Sequence, residues 1–138
     1  MNNKQTGNAF EREFCRDLGQ YDGWWVHNMA STASGQPADV IAVKNGKPYL
    51  IDCKVCAKNY FNLNRVEENQ HLAMRYWRQC GNGEPWFALK LGFDEVYMVP
   101  YSAIEKYMGE QSRLTCQNIV DEGYYFYPWV GAVNRGLL

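Results

Sequence analysis

Four residues in the first half of the chain have types and spacing that could do chemistry together: Glu11, Asp39, Asp52 and Lys54. The stretch "DVIAVKNGKPYLIDCK" (39–54) holds two apolar runs joined by Asn45-Gly46, with an aspartate at the far end of each run. Asn-Gly between such runs is a strong hairpin signal, because both central residues of a type I′ turn need positive φ. With the turn there, Lys44 faces Lys47, Val43 faces Pro48, Val40 faces Ile51, and Asp39 falls opposite Asp52. Alternation makes the Val43–Pro48 and Asp39–Asp52 pairs non-hydrogen-bonded, so Pro48 loses no ladder bond. The two aspartates are then held close, and like charges directly opposite destabilise a sheet. Lys54 shares the face of Asp52 two residues further on and supplies a positive neighbour.

A third carboxylate comes from the segment before the hairpin. Residues 8 to 19 read as a helix with Phe10, Phe14 and Leu18 on one stripe; at 100° per residue Glu11 falls on that stripe and Glu13 outside it. Carboxylates gathered out of water and unable to pair with one another need a cation, and all-oxygen ligation suits Mg²⁺ or Mn²⁺ rather than zinc. A hard metal on such a cluster commonly serves phosphoryl chemistry, with the lysine positioning a water or stabilising the charge that develops on phosphate. Taken singly, a strand-end aspartate is more often a turn or cap residue and a strand lysine more often snorkels. Their joint placement is the specific feature.

These residues need a sheet and helices to hold them. "WWVHNM" (24–29) reads as a first strand and "ASTASGQPA" (30–38) as a small-residue loop into the hairpin. A second helix is expected from about Arg65 to Cys80, with capping-box spacing between Asn64 and Glu67 and a stop at Gly81. Its stripe comprises Val66, Ala73, Trp77 and Cys80, with Met74 at the margin and Gln70 inside it. "WFALKL" (86–91) reads as a doubly buried strand, "EVYMVP" (95–100) as a further strand, and Ser102 with Glu105 as the capping box of a short helix to Met108. The fold class is therefore α/β, a mixed β-sheet flanked by helices. The aromatic tail, with "YYFYPW" at 124–129, is poorly patterned; its rings could cover the core edge, stack on bases or pack a dimer.

The length of 138 residues fits a single domain, 1–138, with its core at about 7–107 and a tail from 109. No run approaches the roughly 18 apolar residues of a membrane span, and "MNNKQTGN" does not read as a signal peptide, so a cytoplasmic protein with no membrane partner is expected. The five cysteines are odd in number and scattered, which fits reduced thiols; Cys53 and Cys56 form a Cys-x-x-Cys without a second ligand pair at zinc spacing. The net charge is −1, yet residues 44 to 90 carry eight basic and four acidic groups. A local phosphate-facing surface there competes with the plainer reading of a solvated charged face.

Pro37, Asp39 and then Asp52-Cys53-Lys54 after an intervening strand resemble the PD-(D/E)xK nuclease signature, with Ala38 inserted between the Pro and the Asp. Within that superfamily the chain is similar to Holliday-junction resolvases of the archaeal type and the RecU type, over about residues 7 to 107. "GNAFERE" matches their opening glycine and glutamate-bearing helix, and "FNLNRVEENQ" resembles the RecU-type stretch that leads to a helix carrying a glutamine, here Gln70. "WFALKLGFDEVYMVP" resembles the following strand pair. The resemblance implies a restriction-endonuclease-like core and a Mg²⁺- or Mn²⁺-dependent endonuclease. Its catalytic residues would be Glu11, Asp39, Asp52, Lys54 and Gln70, and its metal ligands Glu11, Asp39, Asp52 and the Cys53 backbone carbonyl. It further implies branched DNA as substrate, and symmetric cleavage of a four-way junction calls for a homodimer. Candidate DNA contacts come from the residues themselves: Lys44, Lys47, Lys58 and Arg65 of the basic middle segment, Ser34 of the loop 30–38, and His27 near the start of that loop. Asp52 stands where many members carry glutamate, and the loop 30–38 leaves no room for a RecU-type stalk. Flap, nick or restriction-type cleavage, a non-catalytic DNA-binding module and a small structural domain stand as alternatives, since fold does not fix function.

Overall fold

A computed structural model describes residues 2–29, 35–92 and 94–138. The hairpin forms in the expected register: β2 (Val40–Lys44) and β3 (Lys47–Cys56) run antiparallel with Val40 opposite Ile51 and Val43 opposite Pro48. Asn45 (φ 53°) and Gly46 (φ 75°) both take the left-handed conformation that the turn demands. β1 (Trp24–Asn28) pairs antiparallel with β2 on the outer side. β3 continues past its hairpin partner and pairs in parallel with β5 (Trp86–Leu91), whose other edge carries β6 (Glu95–Pro100). A two-residue strand, β8 (Tyr124–Tyr125), completes a mixed sheet of order β1-β2-β3-β5-β6-β8.

Alternation along these strands divides the core into two layers. On one face, Phe10, Phe14 and Leu18 of α1 (Asn3–Gly19) and Phe126, Trp129, Val130 and Val133 of α5 (Phe126–Asn134) pack on Val40, Ala42, Ile51, Ala88 and Met98. On the other, Met74 of α2 (Glu68–Gln79), Tyr101 and Ile104 of α3 (Tyr101–Met108) and Ile119 of α4 (Cys116–Glu122) pack on Leu50, Phe87, Leu89 and Val99. A small second ladder, β4 (Tyr60–Asn62) with β7 (Arg113–Thr115), adds Phe61 and Leu114 to this layer.

Four expectations are corrected. α1 begins at Asn3 rather than residue 8, because Asn2 and Gln5 form a reciprocal capping box, with Gln5 N donating to Asn2 Oδ1 at 2.8 Å. α2 begins at Glu68 rather than Arg65: residues Leu63–Arg65 form a single 3₁₀ turn, and the capping box is Glu67 with Gln70 instead of Asn64 with Glu67. Val66 and Gln70 are buried and Trp77 packs against the core as the stripe requires, but Met74, placed at its margin, is fully buried and Cys80, placed within it, is exposed. Ser102 caps nothing, since its N–H donates to Glu84 while Glu105 accepts both guanidinium nitrogens of Arg78. Nor does the core stop at residue 107. Leu114, Ile119, Phe126, Trp129 and Val133 are buried, so much of the tail is core rather than its edge, while Tyr124, Tyr125 and Tyr127 remain exposed.

Candidate active site

α1 lies against one face of the sheet and α2 against the other, and the site lies where β3 continues past β2, paired only with β5. Asp52, facing the α2 side, is fully buried. Its Oδ1 accepts from Gln70 Nε2 at 3.1 Å, and its Oδ2 lies 3.2 Å from Lys54 Nζ. That second contact is an ion pair without hydrogen-bond alignment, which leaves Oδ2 without a hydrogen-bond donor. Lys54 Nζ also donates to Gln70 Oε1 at 3.3 Å, so one amide holds both the carboxylate and the ammonium. The same Oε1 accepts from Glu67 N at 3.1 Å, which fixes the amide through the cap of α2.

Asp39 precedes β2 and is nearly buried. Its Oδ2 accepts from Cys53 N at 2.8 Å and its Oδ1 from Gln36 Nε2 at 3.2 Å. Asp39 stands within hydrogen-bonding reach of both Glu11 and Asp52. Burial, and next the Asp39 charge, push Glu11 up to about 7, with Lys54 and Arg12 opposing. Burial first and Asp39 second likewise raise Asp52 well above the usual carboxylate range, against the pull of Lys54. Glu13 is solvent-facing and pairs with Lys90 on the same sheet face, as the helical-stripe argument requires.

Glu11, Asp39, Lys54 and Gln70 line an open cleft of about 730 Å³ whose wall also includes Asn3, Thr6 and Gly7 of α1 and Arg65 and Asn69, while Asp52 lies buried behind Lys54 and Gln70. Asn3, Gly7 and Glu11 recur at four-residue spacing and share one stripe of α1. Asn3 escapes the sequence pattern because the first turn of α1, set by the Asn2–Gln5 capping box, precedes its apolar stripe. Gln36 and Asn69 escape it too, since a loop glutamine and an amide on a helix turn give no pattern. No three His, Cys, Asp or Glu side chains among the described residues already stand as a finished ligand cage. The donor set nevertheless fits a hard cation: every candidate ligand atom is oxygen, the buried Asp52 Oδ2 accepts no hydrogen bond among the described residues and has only the Lys54 charge beside it, and Glu11 and Asp52 hold their protons above the usual carboxylate range, which marks negative charge short of compensation.

The expected DNA contacts separate by position. Arg65 lines the cleft, its Nη1 donating to Val55 O at 2.8 Å, and exposed Lys58 follows the cleft-lining Ala57. Cys53 also lines it. Lys44 and Lys47 sit at the hairpin turn, the opposite end of β2 and β3, where they donate to Asp22 O and Leu138 O. His27 is exposed on β1 and stacks on Trp25 with ring centroids 5.8 Å apart, away from the cleft lining. Ser34 lies outside the described residues.

Two aspartates, a lysine and a helix glutamate at the end of a mixed, helix-flanked sheet define the class of metal-type nuclease sites. The archaeal Holliday junction resolvase (Hjc) family model matches residues 2–134, and the chain belongs to that family. A relative in Methanocaldococcus jannaschii, the crossover junction endodeoxyribonuclease Hjc, is 25% identical over 97 residues, covering 70% of this chain and 68% of that protein. The solved structure of Archaeoglobus fulgidus Hjc, a Holliday junction resolvase, superposes with a TM-score of 0.68 at 18% identity, over 89% of this chain and 97% of that one. The resemblance read from the motifs thus holds, on the archaeal side, and the restriction-endonuclease-like α/β expectation agrees with the six-stranded sheet.

Proposed function

We propose that this resolvase-family chain hydrolyses phosphodiester bonds in four-way DNA junctions, using Mg²⁺ or Mn²⁺ and acting as a cytoplasmic homodimer of 1–138 nuclease domains. The observation that carries the reading is the convergence of Glu11, Asp39, Lys54 and Gln70 on one cleft, with the buried Asp52 held behind it by Lys54 and Gln70 and electrostatically joined to Asp39. Glu11, Asp39, Asp52 and the Cys53 carbonyl would hold the cation. Bound there, it would polarise the scissile phosphate and promote ionisation of the attacking water. Lys54 Nζ, fixed between Asp52 and Gln70, is placed to donate to that water or to a phosphate oxygen, and Gln70 keeps it from folding onto Asp52 alone. Arg65 and Lys58 would take the flanking phosphates. Lys44, Lys47 and His27 would need a second DNA arm, because they stand away from the cleft. Symmetric cleavage of a four-way junction calls for two such sites related by a two-fold axis.

The test is a panel of labelled four-way junction, linear duplex and flap DNA in Mg²⁺. The junction should be cut in preference, and Lys54→Ala should abolish cutting while leaving junction binding within about twofold, since one ammonium among many phosphate contacts adds little to a counterion-release affinity. Equal cutting of flap or duplex would replace the resolvase reading with a general nuclease. Parallel loss of binding and cutting would make Lys54 a docking residue.

A further inference from the structure

Consecutive residues of α2 reach opposite sides of the site. Gln70 bonds Asp52 directly, at 3.1 Å. Asn69 does not touch a carboxylate; its Nδ2 donates to the backbone carbonyl of Gln36 at 3.3 Å, and Gln36 Nε2 donates to Asp39 Oδ1 at 3.2 Å. We propose, resting on the metal-assisted reading above, that Asn69 and Gln36 form a positioning relay that sets the plane of the Asp39 carboxylate, so that the first turn of α2 aligns both hairpin aspartates together.

Three features support the relay. The first is the two-point fixing of Asp39. Cys53 N holds Oδ2 at 2.8 Å, but a single donor leaves the carboxylate free to swing about its terminal torsion, whose energy wells are broad. Gln36 is the second donor, and it is neutral. An amide orients the carboxylate without cancelling the charge that a cation needs, whereas a lysine or arginine there would compete with the cation. Asp52 is treated alike, with the neutral Gln70 amide on Oδ1 and Oδ2 turned toward the charge partner.

The second is Gly35. It adopts φ +81°, and a Cβ built on it would stand 3.0 Å from Asn69 Nδ2. Glycine suits this position because of its positive φ, and the absence of a Cβ also lets Asn69 Nδ2 approach without being displaced. The third is that Gly35, Gln36, Asn69 and Gln70 all line the cleft that holds Glu11 and Asp39, so the relay borders the reacting volume. Groups that hydrogen-bond a metal's ligands commonly change affinity or activity roughly 10- to 100-fold when removed.

The experiment is a double-mutant cycle on Gln36→Ala and Asn69→Ala, read by calorimetric Mn²⁺ binding to the DNA-free protein and by melting temperature. Each single variant should weaken Mn²⁺ binding about tenfold with little change in melting. The double variant should be no weaker than the worse single, because both remove the same link. Additive losses, or unchanged Mn²⁺ affinity in Gln36→Ala, would overturn the relay. If the wild-type protein bound no Mn²⁺, the metal-assisted reading would fail separately, and the relay would be judged by the Gln36 side-chain amide resonance. Its displacement by both Asn69→Ala and Asp39→Asn supports the relay; an unmoved resonance overturns it.

Discussion

Asp39 stands beside two carboxylates, Glu11 and Asp52, whose proton affinity burial raises first and the Asp39 charge second, so the metal-free site retains protons that exposed carboxylates would lose. The sign follows from the direction of the shifts. Glu11 and Asp52 bind protons more tightly folded than unfolded, so their contribution is fully present below the unfolded carboxylate range. It is lost as pH rises through about 7, where folded Glu11 ionises. The metal-free protein should therefore melt lower at pH 8 than at pH 5. Asp39→Asn should flatten that slope and raise the pH 8 melting temperature, at roughly 3 °C per kcal/mol for a chain of this size. An asparagine can still accept from Cys53 N with its oxygen, and Gln36 can turn its own amide to receive the new NH₂. Melting curves at the two pH values with and without Mg²⁺ check this; the cation should raise the melting temperature of the wild type and leave Asp39→Asn nearly unmoved. The residues found from sequence were those whose role is set by local periodicity: Glu11 by the helical stripe, Asp52 and Lys54 by strand alternation. Gln36 and Asn69 act through a loop carbonyl, a contact that no periodicity encodes.

At the scale of elements, the hairpin was legible because Asn45-Gly46 fixes the turn and the turn fixes every pair, Val43–Pro48 included. β5 and β6 were legible as apolar runs of strand length. The start of α2 was not, because residues 60–65 answer to a distant partner: β4 pairs with β7 some fifty residues later, and that ladder leads the chain into a 3₁₀ turn where local spacing suggested helix. The tail was illegible for a similar reason. β8 is only two residues long and exists through its pairing with β6, while α5 carries apolar residues on more than one side. Its central ring, Trp129, is fully buried and meets Trp24, Tyr49 and Trp86 with centroids 5.7 to 5.8 Å apart. Trp129→Ala should cost about 3–5 kcal/mol in urea unfolding, the range for emptying a large aromatic from a core. A loss below about 1 kcal/mol would return the tail to the surface.

Taken whole, the molecule is slightly acidic and the basic residues of 44 to 90 are dispersed, with Lys54 and Arg65 on the cleft and Lys44 and Lys47 at the far end of the hairpin, so broad attraction to DNA is weak and discrimination has to come from shape. Two copies would set two clefts, each with Lys54 and Arg65, toward the crowded phosphates of a junction centre, which a linear duplex cannot do with both halves. No helix among the described residues is long and apolar enough to cross a membrane. The most direct measurement is the single-turnover rate at which wild type and Asp39→Asn cut a labelled four-way junction across a Mg²⁺ titration. Wild type should cut opposing strands as a pair, in a Mg²⁺-dependent way. Asp39→Asn should bind the same junction and cut it at least about a hundredfold more slowly, beyond what loss of a mere ligand-orienting group gives. Cutting by Asp39→Asn at the wild-type rate, or wild-type cutting indifferent to Mg²⁺, would contradict the assignment of this carboxylate cluster as the catalytic centre.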